Sequence, residues 1–205
     1  MSSGTELYLV RHGEAENTLR TNYVAGRSNH LPLTEKGIEQ SLRLKSTLGK
    51  LGIHPSKVCS SPALRARETA RYALDQAVFD RLLFDDRLQE LDAGEWTGKA
   101  ASDIFTDEVQ AAISRERNGF RPPSGESFDD VSRRMLQWAN SVAVDHQVLA
   151  FTHGGSIRCL AAGIEGWSHE QTYATNPQHT SISLFLYDGH GWSLSYLGKM
   201  PEEVL

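Results

Sequence analysis

With 205 residues, the chain has the length of one domain, or of one domain with a small cap. An apolar fraction of 39% and a charged fraction of 23% are typical of a soluble globular protein. The 26 acidic residues outnumber the 21 basic ones, and no basic run supports nucleic-acid binding. We therefore expect no nucleic-acid partner, and any positive patch should be a local pocket.

Membrane insertion and secretion have no support in the sequence. Residues 1–6 are polar and lack the charged-then-apolar pattern of a signal peptide. No apolar run approaches the ~18 residues of a membrane span. The two cysteines, Cys59 and Cys159, lie in apolar stretches and give no disulfide framework. We expect a cytoplasmic protein with two buried free thiols and no membrane association.

The first predicted element is a short buried strand, Leu7 to Val10, which ends at Arg11, His12 and Gly13. An arginine holds an oxyanion with a planar fork of donors, and a histidine is a nucleophile or proton carrier near neutral pH. Glycine allows the backbone to approach a ligand closely. The turn suggests a histidine that acts on a phosphate; a loop with a surface histidine is the alternative.

The next elements alternate between helices and strands. A helix should begin after Thr34 and end near Gly52, with an apolar face that includes Leu42. Ser61 and Pro62 predict the cap and first position of a second helix that reaches Leu74. The remaining predictions for this half are strands at residues 58–59 and within 79–84, a loop at 88–96 and helical structure over 99–117.

The C-terminal half begins with the most clearly amphipathic helix, at residues 128–142. A strong strand at residues 148–151 precedes Thr152-His153-Gly154-Gly155 and a helix near 156–164. Segments 181–187 and 192–196 read as a hairpin. These elements predict one α/β domain over residues 1–205, a three-layer α/β/α sandwich with a mostly parallel mixed sheet. Residues 92–125 should form an excursion that partly covers the site.

Three predicted strand ends carry ionisable side chains. Arg11 and His12 follow the first strand, Arg65 lies in the first turn after Ser61, and His153 follows a later strand. Strand-to-helix junctions gather at one edge of such a sheet, and helix N-termini favour anions. A phosphate ester carries about −1.5 to −2 charges at neutral pH, so two arginines and a second histidine would neutralise it. The positive surroundings favour an uncharged His12, the form that attacks phosphorus.

The departing alkoxide needs a proton, and Glu90 is the candidate acid because it lies in the loop after the fourth apolar segment. Asp92 and Glu95 are rivals by proximity. These assignments predict that Arg11, His12, Arg65, Glu90 and His153 line one cavity.

The chain resembles the histidine phosphatase superfamily, in its phosphoglycerate-mutase-like branch. The motifs are Leu9-Val10-Arg11-His12-Gly13-Glu14 with Asn17, the block from Gly26 to Thr34 with Gly37, Ser61-Pro62-Ala63-Leu64-Arg65-Ala66 with Thr69-Ala70, Leu88-Gln89-Glu90 with Gly94-Glu95-Trp96, and Thr152-His153-Gly154-Gly155. Five motifs in this order cover nearly the whole chain and are specific together. They select Arg65 over Arg67 and Glu90 over its rivals.

The resemblance implies a role for each matching residue. His12 is the expected nucleophile and Glu90 the proton donor, while Arg11, Arg65 and His153 hold the phosphate. Further phosphate or substrate contacts are expected from Asn17, Gly154 and Arg27. No metal and no organic cofactor is implied. Ala15 stands where the family usually has Thr or Ser, which predicts the loss of a secondary contact.

The predicted function is hydrolysis of a small phosphomonoester through a phosphohistidine intermediate, with a small phosphorylated metabolite as substrate. The alternatives are a cofactor-dependent phosphoglycerate-type mutase and a phospho-ligand binding module without turnover. Resembling mutases carry an adjacent arginine pair in the excursion, whereas Arg115, Arg117 and Arg121 are not adjacent. Residues 92–125 should determine the substrate specificity. A homodimer is an expectation at the level of the family. The six histidines other than His12 and His153 are expected on surfaces or loops.

Overall fold

The architecture comes from a computed structural model that describes residues 4–16, 19 and 22–204. The strands are β1 (Thr5–Arg11), β2 (Lys57–Ser60), β3 (Leu83–Phe84), β4 (Gln147–Thr152), β5 (Ile182–Tyr187) and β6 (Trp192–Lys199). The helices are α1 (Glu35–Lys50), α2 (Leu64–Ala73), α3 (Gln76–Phe79), α4 (Ala101–Ile104), α5 (Asp107–Glu116), α6 (Phe128–Ser141), α7 (Gly154–Glu165) and α8 (His169–Ala174). Short 3₁₀ turns cover Asp86–Leu88, Gly94–Trp96, Arg117–Gly119 and Pro201–Glu203.

The described strands form one six-stranded mixed sheet in the order β3-β2-β4-β1-β5-β6. The pairs β3–β2, β2–β4 and β4–β1 are parallel, and β5 runs antiparallel to both of its neighbours. Arg11 pairs with Thr152, and Ser60 pairs with Phe151. The register therefore brings the carboxyl ends of β1, β2 and β4 to the same edge of the sheet.

Alternate residues of the central strands pack into two separate cores. On β1 and β4, Leu7, Leu9 and Val148 belong to a core with α6 and α7, whereas Val10 and Leu149 belong to a core with α1 and α2. Because successive side chains of a strand point to opposite faces, the sheet lies between two helical layers. The predicted three-layer α/β/α sandwich with a mostly parallel mixed sheet is confirmed.

Two helix starts follow the sequence prediction. Thr34 caps α1 by accepting from the backbone N–H of Gly37 at 3.0 Å, and Ser127 forms a reciprocal capping box with Asp130 at the start of α6. Helix α6 buries Trp138 as predicted. The apolar face predicted for α1 includes Leu42, and this position was wrong. Leu42 is 51% exposed, and the neighbouring Ser41 is buried instead.

Other local predictions differ from the structure in their details. Helix α2 begins at Leu64, after Ala63, rather than at Pro62, and the Ser61 hydroxyl contacts His153 and accepts from the Ala63 N–H. The strand predicted within residues 79–84 is confirmed at Leu83–Phe84, while Phe79 belongs to the short helix α3 and packs on the core. The helical structure predicted over residues 99–117 is present as two helices, α4 and α5, with Thr106 capping the second. Helix α8 was not predicted.

Burial explains the chemistry of both cysteines. Cys59 lies on β2 and Cys159 on α7, and both are buried free thiols, as predicted. Burial raises the pKa of Cys59 to about 11 and that of Cys159 to about 12, so both thiols stay protonated near neutral pH. Among the helices that the structure describes, none combines the length and apolar content needed to cross a bilayer.

Candidate active site

The site lies at the sheet edge where the parallel strands end. Arg11 is the last residue of β1, and His12 follows it immediately. His153 follows β4 and is the N-cap residue of α7, while Arg65 lies in the first turn of α2. The common register of β1, β2 and β4 brings these residues together, although they are distant in sequence.

Arg65 is fully buried and connects both histidines. Its Nε donates to His12 Nε2 at 3.2 Å, and its Nη2 lies 3.1 Å from His153 Nδ1. Its Nη1 donates to the carbonyl oxygens of Arg27 and Ser28, each at 3.0 Å. Three different nitrogens of one planar guanidinium are thus fixed by neighbours, which sets the orientation of the fork.

The tautomer of His12 follows from its hydrogen bonds. Nδ1 lies 2.7 Å from the carbonyl oxygen of Gly13, which can only accept, so Nδ1 carries the proton. Nε2 then carries the lone pair and accepts from Arg65. Burial and the nearby cations Arg65 and Arg11 lower the pKa of His12 well below its usual value. His12 is therefore uncharged near neutral pH, with its basic nitrogen turned toward positive charge.

His153 is held in the opposite tautomer. Its Nδ1 accepts from Arg65, and its Nε2 donates to Ser61 Oγ at 2.8 Å. The two imidazoles meet edge to face, with ring centroids 5.1 Å apart. Burial and Arg65 lower the pKa of His153 well below its usual value, so the positive charge of the described site comes from arginines. The expectation that this histidine adds charge of its own has no support in this geometry.

Arg11 is held by the loop before β5, which sequence reasoning did not connect to the site. Its Nη1 donates to Asn176 Oδ1 at 3.0 Å and to the carbonyl oxygen of Pro177, and its Nη2 lies 3.1 Å from His179 Nε2. Burial and Arg11 lower the pKa of His179 to about 4, so this imidazole accepts the hydrogen bond. His179 lies in a loop, as predicted, but its contact with Arg11 was not predicted.

The Nε–H of Arg11 is buried and has no hydrogen-bond partner among the described residues. The side chain packs over Gly154, where an added Cβ would lie 3.3 Å from this nitrogen. A buried donor without a partner is costly, which points to an acceptor on a ligand at this place.

The carboxylate of Glu90 faces the start of α7. Its Oε2 accepts from the Gly155 N–H at 3.2 Å and its Oε1 from the Leu91 N–H at 2.8 Å. A Cβ on residue 155 would lie 2.2 Å from Glu90 Oε1, so this position requires glycine for the carboxylate to stay where it is.

The loop that carries Glu90 is fixed at several backbone carbonyls. Thr152 Oγ1 donates to the carbonyl oxygen of Leu88 at 2.6 Å, and Ser156 Oγ donates to that of Gln89 at 2.5 Å. Arg134 Nη2 donates to the carbonyl oxygen of Glu90 itself at 3.2 Å and pairs with Glu126. The sequence did not point to this supporting role of Arg134, because it depends on contacts with residues distant in sequence.

A cavity of about 220 Å³ opens beside these groups, and we call it the reaction cavity. Its wall includes Arg11, His12, Glu90, Gly154, Gly155 and Arg158. Arg65 and His153 are 0% exposed and lie directly behind His12 rather than on the wall. Three of the five predicted residues thus line this cavity, and the other two contact it through His12.

The remaining predicted residues have mixed placements. Asn17 lies outside the described residues. The guanidinium of Arg27 lies 3.4 Å from the carboxylates of both Asp92 and Glu126, beside the loop of Glu90, and its contact with substrate stays a prediction. Of the rival acids, Asp92 accepts from the Gly94 N–H and Glu95 from Ser124, and neither is on the wall of the reaction cavity.

Comparison with known proteins identifies the family of the chain. The sequence model of the histidine phosphatase superfamily (branch 1) matches residues 7–199, and the chain belongs to this superfamily. The sequence is 33% identical over 178 residues to a 2,3-bisphosphoglycerate-dependent phosphoglycerate mutase of Rhizobium etli, covering 82% of this chain and 84% of that protein.

Solved structures share the fold over almost the whole length. A mycobacterial glucosyl-3-phosphoglycerate phosphatase, solved in complex with VO₃, superposes with a TM-score of 0.78 at 26% identity, covering 95% of this chain and 99% of that one. A putative alpha-ribazole-5'-P phosphatase of Escherichia coli superposes with a TM-score of 0.80 at 23% identity, covering 96% and 97%. The superfamily contains both phosphatases and mutases, so the choice between these activities depends on the site.

Proposed function

We infer that this chain hydrolyses a small phosphomonoester through a phosphohistidine formed at His12. The observation that carries the proposal is the fixed tautomer of His12 beside Arg65. The Nδ1 proton of His12 is donated to the carbonyl oxygen of Gly13. The unprotonated Nε2 therefore carries the lone pair, and it lies 3.2 Å from Arg65 Nε. An uncharged imidazole with its free nitrogen among cations is suited to attack an anionic phosphorus centre.

Phosphate binding begins at Arg11, whose buried Nε–H lacks a partner among the described residues. The N-terminus of α7, where Gly154 lines the cavity, adds backbone donors and the positive end of a helix dipole. A phosphoryl oxygen that accepts from Arg65 Nε replaces the Arg65–His12 hydrogen bond and so frees the Nε2 lone pair. Binding and activation of the nucleophile are thereby coupled.

The attack forms the Nε2–P bond and breaks the P–O bond to the alcohol. The alkoxide takes its proton from Glu90, whose carboxyl group is on the wall of the same cavity as His12. Glu90 is suited to this role because two backbone N–H groups hold its oxygens in place.

Water then completes the cycle. The Glu90 carboxylate, now deprotonated, takes a proton from a water molecule, and the oxygen of this water attacks the phosphorus of the phosphohistidine. The Nε2–P bond breaks, the electron pair returns to Nε2, and inorganic phosphate leaves. Arg65 and Arg11 offset the charge that builds up on the phosphoryl oxygens in both steps.

The test is hydrolysis of p-nitrophenyl phosphate without added metal, by the wild type and by His12→Ala. We expect the substitution to abolish turnover, whereas His190→Ala, at an exposed histidine in the β5–β6 turn, should leave it unchanged. Alkaline quenching followed by mass spectrometry should detect one added PO₃ group on the peptide that contains His12. Full turnover by His12→Ala would refute the assignment of His12 as the nucleophile.

A mutase is the second candidate, because a phosphoglycerate mutase is 33% identical to this chain. The excursion does not favour the anionic tail of phosphoglycerate, since its three arginines pair with carboxylates: Arg115 with Glu116, Arg117 with Glu170 and Arg121 with Asp130. Incubation with 3-phosphoglycerate and a bisphosphoglycerate primer distinguishes the two activities. We expect free phosphate in excess of isomerised product, and the reverse ratio would identify a mutase.

A further inference from the structure

A second cavity, with a volume of about 170 Å³, adjoins the reaction cavity, and we call it the aromatic pocket. It lies between the 92–125 excursion and helices α6 to α8. Six rings contribute to its wall: Trp96, Phe105, Phe120, Phe128, His169 and Tyr173. Trp96 lies 5.6 Å from Phe120 and 5.7 Å from Phe105 between ring centroids, so these rings support one another.

The aromatic pocket is continuous with the reaction cavity. Val24, Leu91, Ala93 and Arg158 line both of them. Leu91 directly follows Glu90, so the shared wall begins at the residue that we propose as the proton donor. A group bonded to the leaving oxygen of a bound ester therefore has a direct route from Glu90 into the aromatic pocket.

Size and chemistry restrict what the aromatic pocket accepts. An apolar protein cavity of about 150 Å³ holds one benzene ring, which is close to the volume here. Tyr173 is 65% exposed and Phe105 is 37% exposed, so much of this ring surface faces solvent and gains from being covered by an apolar group.

Arg158 marks the junction of the two cavities. Its guanidinium lies 4.9 Å over the ring of Phe128, and its Nη1 donates to the carbonyl oxygens of Tyr173 and Thr175. Its buried Nε–H has no partner within the described part of the chain. Arg158 thus places a hydrogen-bond donor between the two cavities.

We propose that the aromatic pocket binds the alcohol part of the substrate, and that the substrate class is phosphomonoesters whose alcohol carries one aromatic ring. This inference rests on the proposed function. The phosphoryl group lies at His12, the leaving oxygen at Glu90 and the ring among Trp96 and Phe120. An oxygen between ester and ring would accept from Arg158 Nε.

The test compares benzyl phosphate with glycerol 1-phosphate, two esters of primary alcohols that both need a proton on departure. We expect kcat/KM to be at least about tenfold higher for benzyl phosphate, because only its ring covers apolar surface in the aromatic pocket. Phe120→Ala should lower kcat/KM for benzyl phosphate about tenfold and change that for glycerol 1-phosphate less than about twofold. Phe84→Ala, an exposed phenylalanine on neither cavity wall, is the matched control and should change neither.

Two further measurements keep the outcome decisive. Ile113→Trp narrows the aromatic pocket without removing a ring and should cause the same selective loss. Calorimetry with benzylphosphonate and methylphosphonate measures the aromatic pocket without any turnover, and we expect about tenfold tighter binding of benzylphosphonate.

The possible failures are distinguishable. Equal kcat/KM for both esters, or an equal loss of kcat/KM for both in Phe120→Ala, would overturn the proposed role of the aromatic pocket in substrate binding. The proposed phosphatase activity would stand. Selective phosphonate binding without hydrolysis of either ester would overturn the proposed function while supporting the aromatic pocket. Equal affinity for the two phosphonates would overturn the inference directly.

Discussion

Arg65 Nε lies 3.2 Å from His12 Nε2, the ring nitrogen that the Gly13 carbonyl leaves unprotonated. Burial lowers the pKa of Arg65 to about 10, so the guanidinium stays charged at neutral pH. The same guanidinium reaches His153 and two backbone carbonyls, and therefore cannot move without disturbing the turn after Gly26. One buried cation thus orients both imidazoles of the site.

The first prediction concerns that cation. Arg65→Lys keeps one positive charge but cannot contact His12, His153 and the two carbonyls together, because an ammonium lacks the planar fork. We expect kcat/KM for p-nitrophenyl phosphate to fall at least about 100-fold, as two charge-assisted hydrogen bonds are lost. Arg67→Lys, two positions along on the exposed face of α2, is the matched control. Equal kcat/KM in the two variants would contradict the assignment.

The proton donor is tested by leaving-group acidity. Glu90→Gln should lower kcat for the hydrolysis of benzyl phosphate by about 10²- to 10⁴-fold, because the benzyl alkoxide cannot leave without a proton. p-Nitrophenolate is a stable anion that leaves without a proton, so kcat for p-nitrophenyl phosphate should fall much less. Steady-state kcat for both substrates gives the answer, with Glu95→Gln at an exposed carboxylate as control. The same loss for both substrates would remove Glu90 from this role.

The need for glycine at position 155 gives a third prediction. Gly155→Ala places a methyl group 2.2 Å from the present position of Glu90 Oε1, so the carboxylate must move away from the backbone N–H groups that hold it. We expect kcat to fall about tenfold or more while the fold is kept, since small displacements of a catalytic group are costly.

Gly49→Ala is the control for this substitution, because an added methyl group on that helical glycine meets nothing within 4 Å. Thermal melting by circular dichroism checks the fold of both variants. An unchanged kcat in Gly155→Ala would show that the observed position of Glu90 does not matter for turnover.

The histidines of the site predict how stability depends on pH. Their pKa values are lowered in the folded state, to about 4 for His179, so the unfolded chain binds more protons below its histidine pKa of about 6.5. Stability is therefore fully present above pH ~6.5 and is lost as pH falls toward the folded pKa values. Because His179 is partly exposed, we expect it to account for roughly 1–3 kcal/mol of the stability lost by pH 4.

Urea unfolding midpoints between pH 7 and pH 4 measure this loss. His179→Gln keeps an acceptor for Arg11 without a titrating ring, so its midpoint should decline less steeply with falling pH than that of the wild type. Parallel declines would mean that the His179 imidazole is not held uncharged.

Local signals were enough where a short stretch determines its own structure. The short apolar run from Leu7 to Val10 predicted a buried strand, and the spacing of Val131, Met135 and Trp138 predicted α6. The motifs around His12, Arg65, Glu90 and His153 also identified the superfamily before any contact was known. Prediction failed where a side chain has a distant partner, as when Ser61 contacts His153 rather than capping α2.

The sequence by itself determined the layered α/β class, the order of the main helices and strands and the residues expected to meet phosphate, because periodicity, caps and motif spacing are local properties. Only the tertiary structure decided that Arg65 lies behind His12, that His179 and Asn176 hold Arg11, and that six rings form a pocket beside Glu90. Those relationships join segments that are far apart along the chain. They are set by strand register and by burial, which no short stretch of sequence contains.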